Sequence, residues 1–139
     1  MSKNFEQISI KSGFMKHNGG LLFKTISENE YEFKTTINKN HLNAAGITHG
    51  GFIAAVVDAG AGTAAHRAAN QNPCVTISLE LKFIAAIKLG QELFGKTVIQ
   101  KKTKSMIFLT CELTAANKIV ATASGIWKIL KLSGAGPGG

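Results

Sequence analysis

From Gly50 to Ala69 the chain runs without a proline and with small side chains in the majority, above all across Ala59-Gly60-Ala61-Gly62-Thr63-Ala64-Ala65. Glycine in a helix interior is roughly 0.8–1 kcal/mol less favourable than alanine, so Gly60 and Gly62 weaken this segment as an isolated helix. It makes sense only if a sheet wraps it closely, since small side chains allow close approach. Asn70-Gln71-Asn72-Pro73 ends it. The flanks supply the wrapping. Residues 21–27 and 31–37 read as two strands joined at Glu28-Asn29-Glu30. Residues 75–83 alternate without a break, apolar at odd positions and polar at even ones. Residues 91–102, 105–115 and 119–130 give three more strands, with turns at Lys88-Leu89-Gly90, Lys101-Lys102-Thr103-Lys104 and Ala116-Asn117-Lys118. Two strands, one buried helix and four strands imply an α+β domain, an antiparallel sheet curled around a central helix.

The 139 residues suit one domain with a real core. Residues 1–20 form an N-terminal segment, where Phe5, Ile8, Ser9 and Ser12 predict a short helix over residues 3–17. Residues 21–131 form the domain, and the glycine-rich residues 132–139 read as a flexible tail. No apolar run reaches membrane-spanning length; residues 52–65 come closest but are too few. Met1-Ser2-Lys3-Asn4-Phe5-Glu6 lacks the apolar block of a secretory signal, which predicts a cytoplasmic address. Cys74 and Cys111 have no metal-type spacing and read as reduced, buried residues; a nucleophilic role is the alternative, without an activating context. His17, His41 and His66 have no ligand partners at recognisable spacing and read as surface or packing residues, so no metal is expected. The net charge of +8 suggests an anionic substrate or partner. The lysines are dispersed, Arg67 is the one arginine, and no basic helix is present, which argues against nucleic acid and for a phosphorylated small molecule. A plainly solvated basic surface is the bland alternative.

Within the helix lies one carboxylate, Asp58, among Val56, Val57, Ala59 and Gly60. Burying a lone acid is costly unless it has a partner or a task. At the helix start stands His49-Gly50-Gly51. Backbone N–H groups there are unpaired and carry partial positive charge, which suits an oxygen that gains negative charge during reaction. Glycine lets a substrate approach such a group closely. An ionised carboxylate sheltered there suits a general base or a nucleophile. The bland alternative is an acid satisfied by Thr63 or a lysine. His49 is expected to hold the loop through hydrogen bonds, with general-base catalysis as the alternative. Eight residues separate Gly50 from Asp58, about 12 Å along a helix at 1.5 Å per residue. One side chain cannot close that gap, so Gly50 of one chain and Asp58 of another are expected to meet across a two-fold axis.

Taken with Asn43, the strand Cys74-Val75-Thr76-Ile77-Ser78-Leu79, the turn at Lys88-Leu89-Gly90 and the strand Ala121-Thr122-Ala123-Ser124-Gly125, this H-G-G-x6-D unit resembles the hotdog-fold acyl-CoA thioesterases of the PaaI type, over about residues 38–130. The resemblance implies acyl-CoA hydrolysis without metal or organic cofactor, by a homodimer at least and often a homotetramer, with active sites at the dimer interface. It implies Asp58 as the catalytic carboxylate, Gly50 as the amide donor to the thioester carbonyl, Asn43 as a supporting amide and Thr76 as a hydroxyl that orients water. Gly51 lies beside the donor. Ser78 shares a strand face with Thr76 in the unbroken alternation and is the second hydroxyl candidate. Lys82, Lys88 and Arg67, with Lys101, Lys102 and Lys104, are candidates for a positive rim around the CoA nucleotide. The family often has a proline just after the long strand, where this chain reads Phe83-Ile84-Ala85-Ala86-Ile87, a departure that leaves the fold untouched and sets the family's specific CoA contacts aside. Competing readings are a hotdog dehydratase or hydratase, a non-catalytic acyl-CoA sensor and, on charge alone, a nucleic-acid binder. Phe14, Phe52, Ile84 and Met106 are candidates for walls of the acyl pocket.

Overall fold

The computed structural model describes residues 4–131; the tail read over residues 132–139 lies outside the described residues. In chain order the elements are β1 (Glu6–Gln7), α1 (Phe14–His17), β2 (Leu22–Thr25), β3 (Glu30–Thr36), α2 (Gly50–Ala68), β4 (Cys74–Phe83), β5 (Glu92–Lys102), β6 (Met106–Ala115) and β7 (Lys118–Ile129), with a single 3-10 turn at Lys39–His41. The strands form one seven-stranded sheet in the order β1-β2-β3-β5-β6-β7-β4, antiparallel at every pairing. The helix α2 packs across β3 to β7, on the inner face of the curl.

Close approach explains the small residues of α2. A Cβ at Gly60 would stand 2.5 Å from the Phe33 ring, and one at Gly95 of β5 would stand 2.3 Å from the same ring. Phe33 is fully buried between helix and sheet, in a slot that only two glycines leave open. Val56, Val57, Ala61, Ala64 and Ala65 line the rest of the buried face.

The N-terminal helix expected over residues 3–17 is reduced to Phe14–His17, and Glu6–Gln7 pair as a strand with Phe23 and Leu22. Tertiary pairing overrides a weak periodicity here. Ile8 N–H donates to the Leu21 carbonyl at 3.1 Å, and Leu21 N–H donates to the Ser9 hydroxyl at 3.0 Å. The Phe5 ring lies edge-on to Phe94, with the Lys34 ammonium 4.4 Å from its centre.

β4 departs from the expected alternation in a way that shapes the site. Its register with β7 shifts between Thr76 and Ser78, so Ile77 is an extra residue, a bulge. Before the bulge Cys74 and Thr76 face the helix side; after it Leu79 and Leu81 do. Val75 and Ile77, placed inward by strict alternation, are instead 47% and 52% exposed.

Candidate active site

The loop before α2 is built to present the helix N-terminus. His41 is buried and stacked on Phe52, with ring centres 3.6 Å apart. Its Nδ1 accepts from Asn38 N–H at 3.0 Å, so its Nε2 carries the proton donated to the Asn18 carbonyl at 2.6 Å. Its own carbonyl accepts from His49 N–H at 2.8 Å, which ties the loop to the first helical turn. Asn43 Oδ1 accepts from the N–H groups of Ala45 and Ile47, at 2.9 and 3.3 Å. Thr48 Oγ1 donates to the Ile87 carbonyl at 2.7 Å and joins this loop to the segment after β4. Asn43, Gly50, Ile53, Phe83 and Ile84 line a groove of about 330 Å³.

At the helix start His49 caps with its side chain: Nδ1 accepts from Gly51 N–H at 2.8 Å. The expected loop-holding role of His49 has this geometry. The Gly51 amide is thereby occupied, whereas Gly50 N–H has no acceptor among the described residues. Phe83 closes over Gly50, 3.5 Å from where a Cβ would stand.

Asp58 lies farther along α2, and the structure places it on the surface of the single chain rather than among buried residues. It sits on the edge of α2 that faces β4, where Thr76 Oγ1 donates to its Oδ1 at 2.7 Å. The Thr63 hydroxyl, the bland alternative partner, donates instead to the Ala59 carbonyl at 2.8 Å. Among the described residues Asp58 joins no ion pair.

The other candidates divide. The bulge corrects the reading of Ser78: it turns the hydroxyl to the outer face of the sheet, beside Glu80, Thr110 and Ser124, away from Thr76. Lys82 is on that outer face as well, in an exposed pair with Glu80 at 3.6 Å. Arg67 lies across the helix from Asp58, donating to Glu6 at 2.6 Å and to Thr25 at 2.9 Å with its guanidinium over Phe23. Lys88 keeps a place near the helix start, one residue after the Ile87 carbonyl that holds Thr48. Of the four proposed pocket walls, Phe52 is buried beneath the loop, Phe14 is exposed at the N-terminal end, Ile84 lines the groove, and Met106 is half-buried at the start of β6. The cysteines gain no nucleophilic character: burial pushes the Cys111 thiol up to about 12 and raises the Cys74 thiol too. Among the described residues no group of three or more His, Cys, Asp or Glu converges on a metal-sized space, and no helix is long and apolar enough to cross a membrane.

His41 and Phe83 are the site-shaping residues that sequence reasoning missed as such. Their only signal is position, His41 two residues before Asn43 and Phe83 at the end of the long strand.

The fold is shared widely. The structure of PA5202 from Pseudomonas aeruginosa superposes with a TM-score of 0.79 at 20% identity, covering 87% of this chain and 96% of that one. The phenylacetic acid degradation protein PaaI of Thermus thermophilus, solved as a point mutant, superposes at 0.74 and 22% identity, covering 84% and 97%. These likenesses establish the hotdog fold. In sequence, human acyl-coenzyme A thioesterase 13 is 27% identical over 122 residues, 86% of this chain and 81% of that protein. The Pseudomonas aeruginosa protein PA0474, provisionally named an esterase, is 32% identical over 94 residues, 67% of this chain and 70% of its own length. Residues 45–122 match the family model described as the thioesterase superfamily, a span that includes Gly50, Asp58 and Thr76. With more than half its length inside that match, the chain belongs to the thioesterase superfamily.

Proposed function

We propose that this protein hydrolyses acyl-CoA thioesters in the cytoplasm, with Asp58 as general base and the Gly50 amide of a second copy as oxyanion donor. The observation that carries the reading is the state of Asp58: one oxygen is oriented by Thr76, and among the described residues the other has no partner and no cation neutralises the carboxylate. A water held by Asp58 loses its proton to the carboxylate as its oxygen attacks the thioester carbon. The carbonyl oxygen becomes an oxyanion facing the Gly50 N–H. The C–S bond then breaks, and the CoA thiolate takes the proton back from Asp58. Asn43 and His49 support the donor by shaping its loop.

Two features favour a shared site. Gly50 and Asp58 are about 12 Å apart along α2, so one chain holds two half-sites. β4 ends the sheet, so its outer edge offers unpaired backbone groups beside exposed Val75 and Ile77. Such an edge is a template for another strand, and a second β4 in antiparallel register satisfies it. Phosphate groups of CoA would then meet Lys88 and the positive surface that the net charge of +8 provides.

The test is release of free thiol from a panel of acyl-CoAs. Asp58→Asn is expected to lower turnover by about 10²–10⁴-fold with an unchanged melting curve. Saturable binding without thiol release by the unmodified protein would replace this reading with that of a sensor.

A further inference from the structure

Trp127 has the largest of the fully buried side chains, at 2% exposure. A buried indole ordinarily finds a partner for its N–H, because an unmet donor costs about 1–3 kcal/mol. Here Nε1 has no acceptor among the described residues, and it is not sealed either; Thr97 Oγ1 is the one described polar side-chain atom that is both. The ring is therefore covered while its N–H keeps a little accessible surface and no acceptor among the described residues.

The opening lies at Gly62. A Cβ there would stand 3.3 Å from Nε1, whereas the six-membered ring lies back over Gly125, where a Cβ would stand 2.4 Å from Cζ3. Gly62 is one helical turn beyond Asp58, about 6 Å along α2. Trp127 is the strand partner of Thr76. The N–H thus faces the α2 side of the seam between α2 and β4 that the Asp58–Thr76 bond bridges, about one helical turn from Asp58.

We propose that Trp127 Nε1–H is the specificity donor of the acyl pocket, recognising an oxo or hydroxyl oxygen that the acyl chain carries about three to five bonds from the thioester carbon. This rests on the thioesterase reading above. Gly62 is the window, and a bare hydrocarbon chain leaves the N–H unmet. A site that holds a substrate oxygen disfavours the analogue lacking it, because the donor is then buried without a partner.

The experiment compares kcat/KM for 5-oxohexanoyl-CoA with that for hexanoyl-CoA. In the unmodified protein the ratio is expected to be on the order of 10 in favour of the oxo substrate. Gly62→Ala, which covers the N–H, and Trp127→Phe, which removes it, should both bring the ratio to about 1. Should Trp127→Phe fail to fold, Gly62→Ala decides, since alanine suits a helix better than glycine does. Trp127 is the only tryptophan, so its emission gives a second readout. In Asp58→Asn protein, 5-oxohexanoyl-CoA should shift the emission to the red and hexanoyl-CoA should not. A ratio near 1 in the unmodified protein, or a preference that survives Gly62→Ala, overturns the inference while hexanoyl-CoA hydrolysis leaves the thioesterase reading standing. Failure to release CoA from any acyl-CoA overturns both.

Discussion

In the proposed mechanism one hydroxyl position, Thr76, decides how the base is held. Its bond to Asp58 Oδ1 holds the carboxylate at the exposed seam between α2 and β4. A hydrogen bond to a charged group contributes about 1.5–3 kcal/mol, so Thr76→Val is expected to lower kcat by about 10-fold or more. Thr76→Ser should retain most of the rate, and melting curves should separate this effect from loss of fold. Asp58 and Thr76, which the structure brings together, were both legible as candidates, one as an acid in a greasy helix, the other by its place in a family pattern. The exclusion of Ser78 was not legible. The run Val75-Thr76-Ile77-Ser78-Leu79-Glu80-Leu81 alternates perfectly as text, and only pairing with β7 reveals the extra residue at Ile77. Gly51 carries the same lesson. Two adjacent glycines look equivalent in sequence, yet the His49 imidazole takes one amide and leaves the other.

Among the elements, α2 was the most readable because its composition is unusual. A helix of small residues requires a close neighbour, and the Phe33 ring against Gly60 is that neighbour. Gly60→Ala adds a methyl to a space already 2.5 Å from a fully buried ring. Overpacking of this kind costs about 1–3 kcal/mol, of which the better helix propensity of alanine offsets up to about 1. A net loss of stability is expected in urea unfolding, even though the change favours the isolated helix. The six strands read from alternation and turn residues are present with boundaries close to those expected. The N-terminal segment was misread because its hydrogen bonds go to β2, and nothing local in Phe5, Ile8 or Ser9 announces that. Glu6 then pairs with Arg67, the chain's only arginine, so the N-terminal strand and the end of α2 are tied together.

For the whole molecule, the proposed two-copy site makes a quantitative demand. Gly50→Pro removes the proposed donor while respecting the backbone, because proline suits the first helical position. His49 already has φ −64° and ψ 132°, the extended conformation that a residue before proline adopts. Gly50→Pro and Asp58→Asn proteins should each be nearly inactive. Mixed in equal amounts and allowed to exchange subunits, half the pairs become hybrid, and each hybrid regains one intact site of two. Recovery of about a quarter of the unmodified activity is expected from such two-fold assembly, measured as thiol release after remixing. No recovery despite proven exchange would place both groups in one chain. The bare margin of β4 then acquires a meaning beyond shape. A strand whose greasy flank and unmet amides adjoin its own acid makes solitude doubly unfavourable: the same handshake that assembles a reaction chamber also hides a surface prone to clumping. Pressure to keep the molecule well behaved and pressure to keep it working would thus act on one stretch of backbone.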